Sequence, residues 1–145
     1  MTARRLYVAE PSPAYGARPP MVVDCSVVAA VVFDEPSRDE AARLTAGRSL
    51  HAPYLLDHEI ASVACKKQAQ GARAAALERA IADYLEQRVT LHRTDVAEQF
   101  ALAGHYHLSA YDAAYLWLAA ELKAPLVTFD RRLGEAASAL LGSIG

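Results

Sequence analysis

The sequence predicts an α/β domain built on a parallel sheet with helices on both faces. Two observations lead there. Short apolar runs alternate along the chain with longer segments of helical character. The composition, 53% hydrophobic and 22% charged over 145 residues, fills one core of ordinary size and excludes a disordered or fibrous chain. In such a sheet the ligand crevice lies beyond the carboxyl ends of the strands, so the residues that follow each strand carry the functional question.

The elements follow in order. Residues 1–20 hold Pro11, Pro13, Gly16, Pro19 and Pro20 without periodicity and read as a flexible, Pro-rich leader; the domain occupies residues 21–145. Met21-Val22-Val23 is a strand buried on both faces. Val27 to Phe33 continues as a buried helix, and Ser37 and Glu40 form a capping box that opens a second helix ending near Gly47. Leu50-His51-Ala52 is a strand closed by Pro53. Tyr54 to Gln70 is helical, Gly71 breaks it, and Arg73 to Gln87 forms another helix. Val89-Thr90-Leu91 is the third strand. Thr94 caps a helix running to about Gly104, and Ser109 starts one that runs to Lys123. Pro125 to Thr128 is the fourth strand, and a last helix follows Asp130.

Fifteen Lys and Arg against seventeen Asp and Glu give a net charge of −2. The first twenty residues carry Arg4, Arg5 and Arg18 against Glu10, which leaves 12 basic and 16 acidic side chains in the rest. That balance argues against a general electrostatic grip on nucleic acid, but it suits an acidic site neutralised by metal. No apolar run approaches the roughly 20 residues of a membrane-spanning helix, and the segment after Arg4-Arg5 is too short for a signal-peptide core. Cys25 and Cys65 form no C-x-x-C motif; both read as small apolar packing groups in a reduced, cytoplasmic protein.

Four acids point to one place. Asp24 directly follows the first strand, and Asp130 follows the fourth after Phe129, so both project from the same sheet edge. Each is also a natural helix N-cap. Glu59 falls within the apolar arc of Leu55, Leu56, Ile60 and Val63. A lone carboxylate there is costly unless paired, hydrogen-bonded or bound to a cation; its plainer reading is a marginal position reaching Lys66 or solvent. Asp57 and His58 lie off that stripe and read as surface residues. Asp112 stands three residues after Ser109, a capping pair in itself. The helix it opens, Ala113 to Leu122, is apolar nearly all round apart from Glu121, as in a deeply buried helix or a subunit interface. Tyr111, Tyr115, Leu118 and Leu122 form a stripe on it that reads as core. Carboxylates that converge without matching bases repel one another and hold their protons more tightly. Oxygen-only ligation of Mg²⁺ or Mn²⁺ relieves that repulsion, and two such ions roughly 3.5–4 Å apart can activate water and stabilise the leaving oxygen of a phosphodiester.

Three segments, MVVDCSVV (21–28), HAPYLLDHEIASV (51–63) and LSAYDAAYLWLAAELKAPLVTFDRRL (108–133), carry these acids in order. Over about residues 21–140 the chain resembles the PIN-domain ribonucleases, especially the VapC-type toxins of bacterial toxin–antitoxin pairs. The resemblance implies a three-layer α/β/α PIN-like fold with a central parallel sheet of four or five short strands. It implies cleavage of RNA dependent on one or two Mg²⁺ or Mn²⁺ ions. Asp24, Glu59 and Asp112 are then the main metal ligands, Asp130 a fourth that often acts through water, and Ser26 a hydrogen-bonding group within that shell. Ser109 and Thr128 read as supporting polar groups. Arg131 and Arg132 read as phosphate contacts, with neutralisation of the nearby acids as their other role. A homodimer is also implied, held inactive by a cognate VapB-like antitoxin that inserts a segment across the site. One departure concerns Glu59: the family often carries Asn three residues later, where this chain has Ser62 and indeed no Asn anywhere. Its orientation therefore relies on other neighbours.

Other chemistries fit less well. His51, His58, His92, His105 and His107 come with no Cys pair, so zinc is not expected. P-loop, G-x-G-x-x-G and G-x-S-x-G motifs are absent. A phospho-receiver domain would carry adjacent acids after the first strand and an Asp after the third, where this chain has His92-Arg93. The stronger rival is a PIN-like subunit that binds RNA or protein and keeps the acids without significant nuclease activity.

Overall fold

Val22 pairs with His51 on one side and with Leu126 on the other, which places strand β1 (Pro20–Val23) inside a parallel sheet. The computed structural model describes residues 18–144. The sheet has four strands in the order β3-β2-β1-β4, with β2 at Ser49–Pro53, β3 at Thr90–His92 and β4 at Leu126–Val127. Met21, Val22 and Val23 are all buried, as a strand covered on both faces requires. Most of the expected leader, residues 1–17, lies outside the described residues, whereas Pro20 already pairs with Ser49.

Two groups of helices form the outer layers of an α/β/α fold. Helix α1 (Cys25–Val32) packs on α2 (Arg38–Thr45), α3 (Leu55–Ala69) and α4 (Ala74–Glu86). Helix α6 (Ala110–Leu122) packs on α5 (Val96–Tyr106), on α7 (Arg131–Ile144) and on β1, β2 and β4. The valine-rich α1 stays helical because Val27, Val28 and Val32 are buried, and tertiary burial outweighs the small helix penalty of β-branched residues. Helices α4, α5 and α6 are followed by Arg88, His107 and Lys123 in the left-handed region, with φ of 51°, 55° and 50°. Basic side chains there meet the negative ends of the helix dipoles.

Several local expectations are corrected. Ser37 precedes α2 with near-helical dihedrals (φ −87°, ψ 9°) and makes no side-chain cap bond, so the capping box does not form. Asp95, not Thr94, caps α5 by accepting from the Glu98 amide at 3.0 Å; Thr94 donates instead to Gln99 Oε1 at 2.7 Å. Cys65 is exposed, while Cys25 packs against the core and burial, with Glu59, Asp24 and Glu35 nearby, pushes its thiol up to about 12. Tyr111 is 66% exposed and leaves the core stripe to Tyr115 and Leu118. Asp57 is exposed, as expected, and accepts a 2.6 Å bond from the Tyr84 hydroxyl that ties α3 to α4.

The chain order fixes where a ligand can sit. From β1 the sheet grows through β2 to β3 on one side, while β4 is added on the other. The order therefore reverses between β1 and β4, and the crevice of a parallel sheet opens at the carboxyl ends of those two strands. Among the described residues no helix is long and apolar enough to cross a membrane.

Candidate active site

Asp24 directly follows β1 at the switch point and is the one buried charged residue among the described residues, 6% exposed. Its Oδ1 accepts the Ser26 hydroxyl at 2.6 Å and the Val27 amide at 3.2 Å, the latter capping α1. Its Oδ2 accepts the Thr128 hydroxyl from beyond β4. The same two hydroxyls also accept backbone amides: Ser26 Oγ reaches across the crevice to the Phe129 amide at 3.0 Å, and Thr128 Oγ1 accepts the nearby Asp130 amide at 2.9 Å. The ends of β1 and β4 are thus locked together around one carboxylate. Asp24 is capped and capping at once, so the structural and the functional readings of this residue are compatible.

The other three acids lie on α3, at the start of α6 and just before α7. Glu59, half-buried on α3, receives a 2.6 Å hydrogen bond from the Tyr115 hydroxyl of α6 at Oε1. Asp112, half-buried in the first turn of α6, has its amide bound to the N-cap Ser109 Oγ at 3.1 Å. Asp130 is exposed and caps the last helix through Oδ1 and the Leu133 amide at 2.9 Å.

Electrostatics joins the four. Burial raises the Asp24 carboxyl above its ordinary range, hydrogen bonds from Ser26, Thr128 and Val27 oppose that, and Asp130 adds to it. Burial likewise raises Glu59; Tyr115 opposes it, while Asp24 and Asp112 push it further up. Asp112 is raised by burial, then by Asp130 and Asp24, and held down by Ser109 and Arg132. Asp24, Glu59 and Asp112 are thus each raised by the charge of at least one other acid of the set. Arg132 is the one basic side chain among these influences. Arg131, by contrast, turns to Glu135 at 2.9 Å one helical turn on.

A hard divalent cation fits this donor set, which is all carboxylate oxygen and hydroxyl with no thiolate or imidazole in it. Among the described residues no three His, Cys, Asp or Glu side chains already stand in a metal-holding arrangement. Glu59 Oε2 and Asp130 Oδ2 carry no hydrogen bond from the described protein groups, which leaves both acids an oxygen to present to an ion. Asp24, by contrast, is hydrogen-bonded at both oxygens.

Two groups lay outside the sequence reading. Tyr115 was legible only as core; the signal is that a buried tyrosine hydroxyl needs a partner, and Glu59 is that partner. The second is a line of hydrogen bonds along β2 and β3, in which His51 Nε2 meets Ser49 Oγ at 3.0 Å and His51 Nδ1 meets His92 Nε2 at 2.8 Å. Its histidines occupy each other and do not face the acids. Ser62, at the position where Asn is common in the resembling family, is exposed and makes no hydrogen bond that bears on Glu59.

Comparison with known proteins bears on the family and the fold. Residues 21–139 match the PIN domain family. The chain is 36% identical over 121 residues to a VapC ribonuclease of Mycobacterium bovis and to ribonuclease VapC9 of Mycobacterium tuberculosis, covering 82% of this chain and 92% of each relative. It is 30% identical over 127 residues to ribonuclease VapC3 of Pyrobaculum aerophilum, covering 83% and 97%. The crystal structure of PAE2754 from Pyrobaculum aerophilum superposes with a TM-score of 0.68 at 22% identity, over 88% of this chain and 96% of that one, which shows a shared fold.

Proposed function

The chain belongs to the PIN-domain family, and from that premise we propose that it is a metal-dependent endoribonuclease, the toxin of a VapBC-type toxin–antitoxin pair. One observation supports the reading: Thr128 bridges Asp24 and Asp130 at the sheet's switch point, while burial and neighbouring acid charge raise the proton affinity of Asp24, Glu59 and Asp112, with Arg132 the one arginine acting on them. Asp24, Glu59 and Asp112 would hold Mg²⁺ or Mn²⁺, with Asp130 completing the set. When bound, the cation supplies an activated water and charge stabilisation for the leaving oxygen of a phosphodiester.

The chain's own groups do the rest. Ser26 and Thr128 hold both oxygens of Asp24, so the anchor ligand is oriented before any ion arrives. Tyr115 holds Glu59 through one oxygen and leaves the other for the site. Ser109 fixes the first turn of α6 and with it Asp112. Arg132, close enough to lower the proton affinity of Asp112, contacts the scissile phosphate or its neighbour. Arg131 lies at the same rim, and its pairing with Glu135 makes it an outer contact for the RNA.

A homodimer and a VapB-like antitoxin are part of the same reading. The apolar faces of α6 are spent inside the protein, where Ala113, Ala114, Tyr115, Leu116, Leu118 and Ala119 are buried. A pairing surface must therefore come from elsewhere. Val96 and Phe100, one helical turn apart on α5, are 73% and 80% exposed, and exposed Tyr54 and Tyr111 border Gln99 of the same helix.

The test is incubation of the purified protein with a mixed RNA panel in Mg²⁺, in Mn²⁺ and in chelator. Endonucleolytic products in either metal and none in chelator are expected. RNA that is bound yet left intact in both metals would overturn the enzyme reading in favour of a PIN-like binding subunit.

A further inference from the structure

Three arginines gather at the end of the sheet opposite the acids. Arg48 immediately precedes β2, Arg18 lies two residues before β1, and Arg88 two residues before β3. Parallel strands share one amino edge, so the topology alone brings these positions together. All three line one open cleft of about 630 Å³. Among the described residues Glu86 is the one carboxylate lining it. Among the described residues the arginine ion pairs are Arg38 with Asp34 and Arg131 with Glu135, and none involves Arg18, Arg48 or Arg88. In a domain with more acids than bases, that is a local cationic excess, three arginines to one glutamate among the described residues.

We propose that this cleft binds phosphate groups, those of a nucleotide or of an RNA backbone, at a site separate from the carboxylate cluster. Planar guanidinium groups match phosphate through paired hydrogen bonds, and a shared anion turns the mutual repulsion of three cations into attraction. The cleft also exposes Val31 and Leu50, half-buried apolar walls that suit the organic body attached to a phosphate. Its volume is in the range of small-ligand pockets, roughly 300–1,000 Å³. Where the phosphate is that of RNA, the site rests on the ribonuclease reading and extends the substrate path to the far edge of the sheet. Binding of a free phosphate compound does not depend on that reading.

The experiment titrates the full chain in chelator with inorganic tripolyphosphate and with a short single-stranded RNA, at two salt concentrations. Without metal the four carboxylates repel both probes, so binding reports the other end of the sheet. Both the chain and its Arg48→Gln/Arg88→Gln variant are measured, with thermal melts to establish folding. Arg48→Lys/Arg88→Lys serves as the charge-keeping control. Tripolyphosphate should bind, lose affinity as salt rises, and bind at least about tenfold more weakly to the glutamine variant. Displacement of tripolyphosphate by RNA identifies a nucleic-acid backbone as the source; its retention identifies a small phosphate compound. Metal-supported cleavage of a dinucleotide by the glutamine variant should stay within about twofold of the parent, since the two sites lie at opposite sheet edges. That readout separates failure of this site from failure of the nuclease. The proposal is overturned by no tripolyphosphate binding, by equal binding to the glutamine variant, or by equal affinity for a polyglutamate peptide.

Discussion

The Tyr115 hydroxyl donates a 2.6 Å hydrogen bond to Glu59 Oε1, joining the buried face of α6 to the acid of α3 across 56 residues of sequence. Tyr115 is 1% exposed, so its ring belongs to the core while its oxygen belongs to the site. Tyr115→Phe keeps the ring and removes the donor. Stability should fall by about 1 kcal/mol, the net value of one hydrogen bond. Mn²⁺ affinity and cleavage rate should fall by about tenfold, as for other groups that orient a metal ligand. Calorimetric titration and RNA cleavage on one preparation check both; a folded variant with parental metal affinity would show that the bond is structural only.

Thr128 holds Asp24 on one side and the Asp130 amide on the other. Thr128→Val has nearly the same volume and neither bond. Asp24 then loses one of the groups that oppose its raised proton affinity, so metal binding should weaken by roughly 10–100-fold and shift to higher pH. Thr128→Ser restores the hydroxyl and should recover most of the loss. A valine variant that binds metal like the parent would remove Thr128 from the supporting set.

The raised carboxyls set the sign of the pH dependence. The folded state holds protons on Asp24, Glu59 and Asp112 more tightly than the unfolded chain does. Their contribution to stability is therefore largest below the unfolded values and declines as pH rises through the folded ones. In chelator at neutral pH, Asp112→Asn should melt above the parent protein, because it removes one of the repelling charges. The difference should shrink as pH falls through the carboxylate range. Saturating Mn²⁺ should reverse the order. A difference in melting temperature that stays constant with pH in chelator would contradict the repulsion among these acids.

The exposed pair Val96 and Phe100 carries the dimer expectation. Sedimentation should give a dimer mass for the parent and a monomer mass for Phe100→Glu, with the thermal melt of the variant still cooperative. A concentration-independent monomer for the parent protein would defeat the dimer.

Strand positions were legible because each depends on short-range signals, apolar triplets such as Met21-Val22-Val23, and the places of Asp24 and Asp130 just past β1 and β4 followed from them. The parallel arrangement then followed from the helices between the strands. What brings Glu59 and Asp24 to Tyr115 and Thr128 was hidden, since those contacts span 56 and 104 residues and depend on packing angles that no local pattern encodes. Tyr115 looked like any other core aromatic. Ser37 misled because a capping box is a pattern of residue types, and the dihedrals actually adopted ahead of α2 prevent the bond. The arginine cleft was equally hidden: Arg18, Arg48 and Arg88 are 30 and 40 residues apart and meet only because parallel strands share an edge.

The central claim is that four carboxylates at the β1–β4 switch point hold the metal that cuts RNA, and Asp112→Asn tests it most directly. Asparagine keeps the shape of the side chain and leaves the Asp112 amide bond to Ser109 in place, so the start of α6 should survive. The measurement is Mn²⁺-supported cleavage of RNA by the parent and by Asp112→Asn at matched concentration, with melting curves on the same samples. Cleavage by the folded variant should fall by at least about a thousandfold, since both the charge on the metal site and the placement of the attacking water are lost. Near-parental cleavage by a folded Asp112→Asn protein would remove Asp112 from the catalytic set and leave it as the first turn of a capped helix.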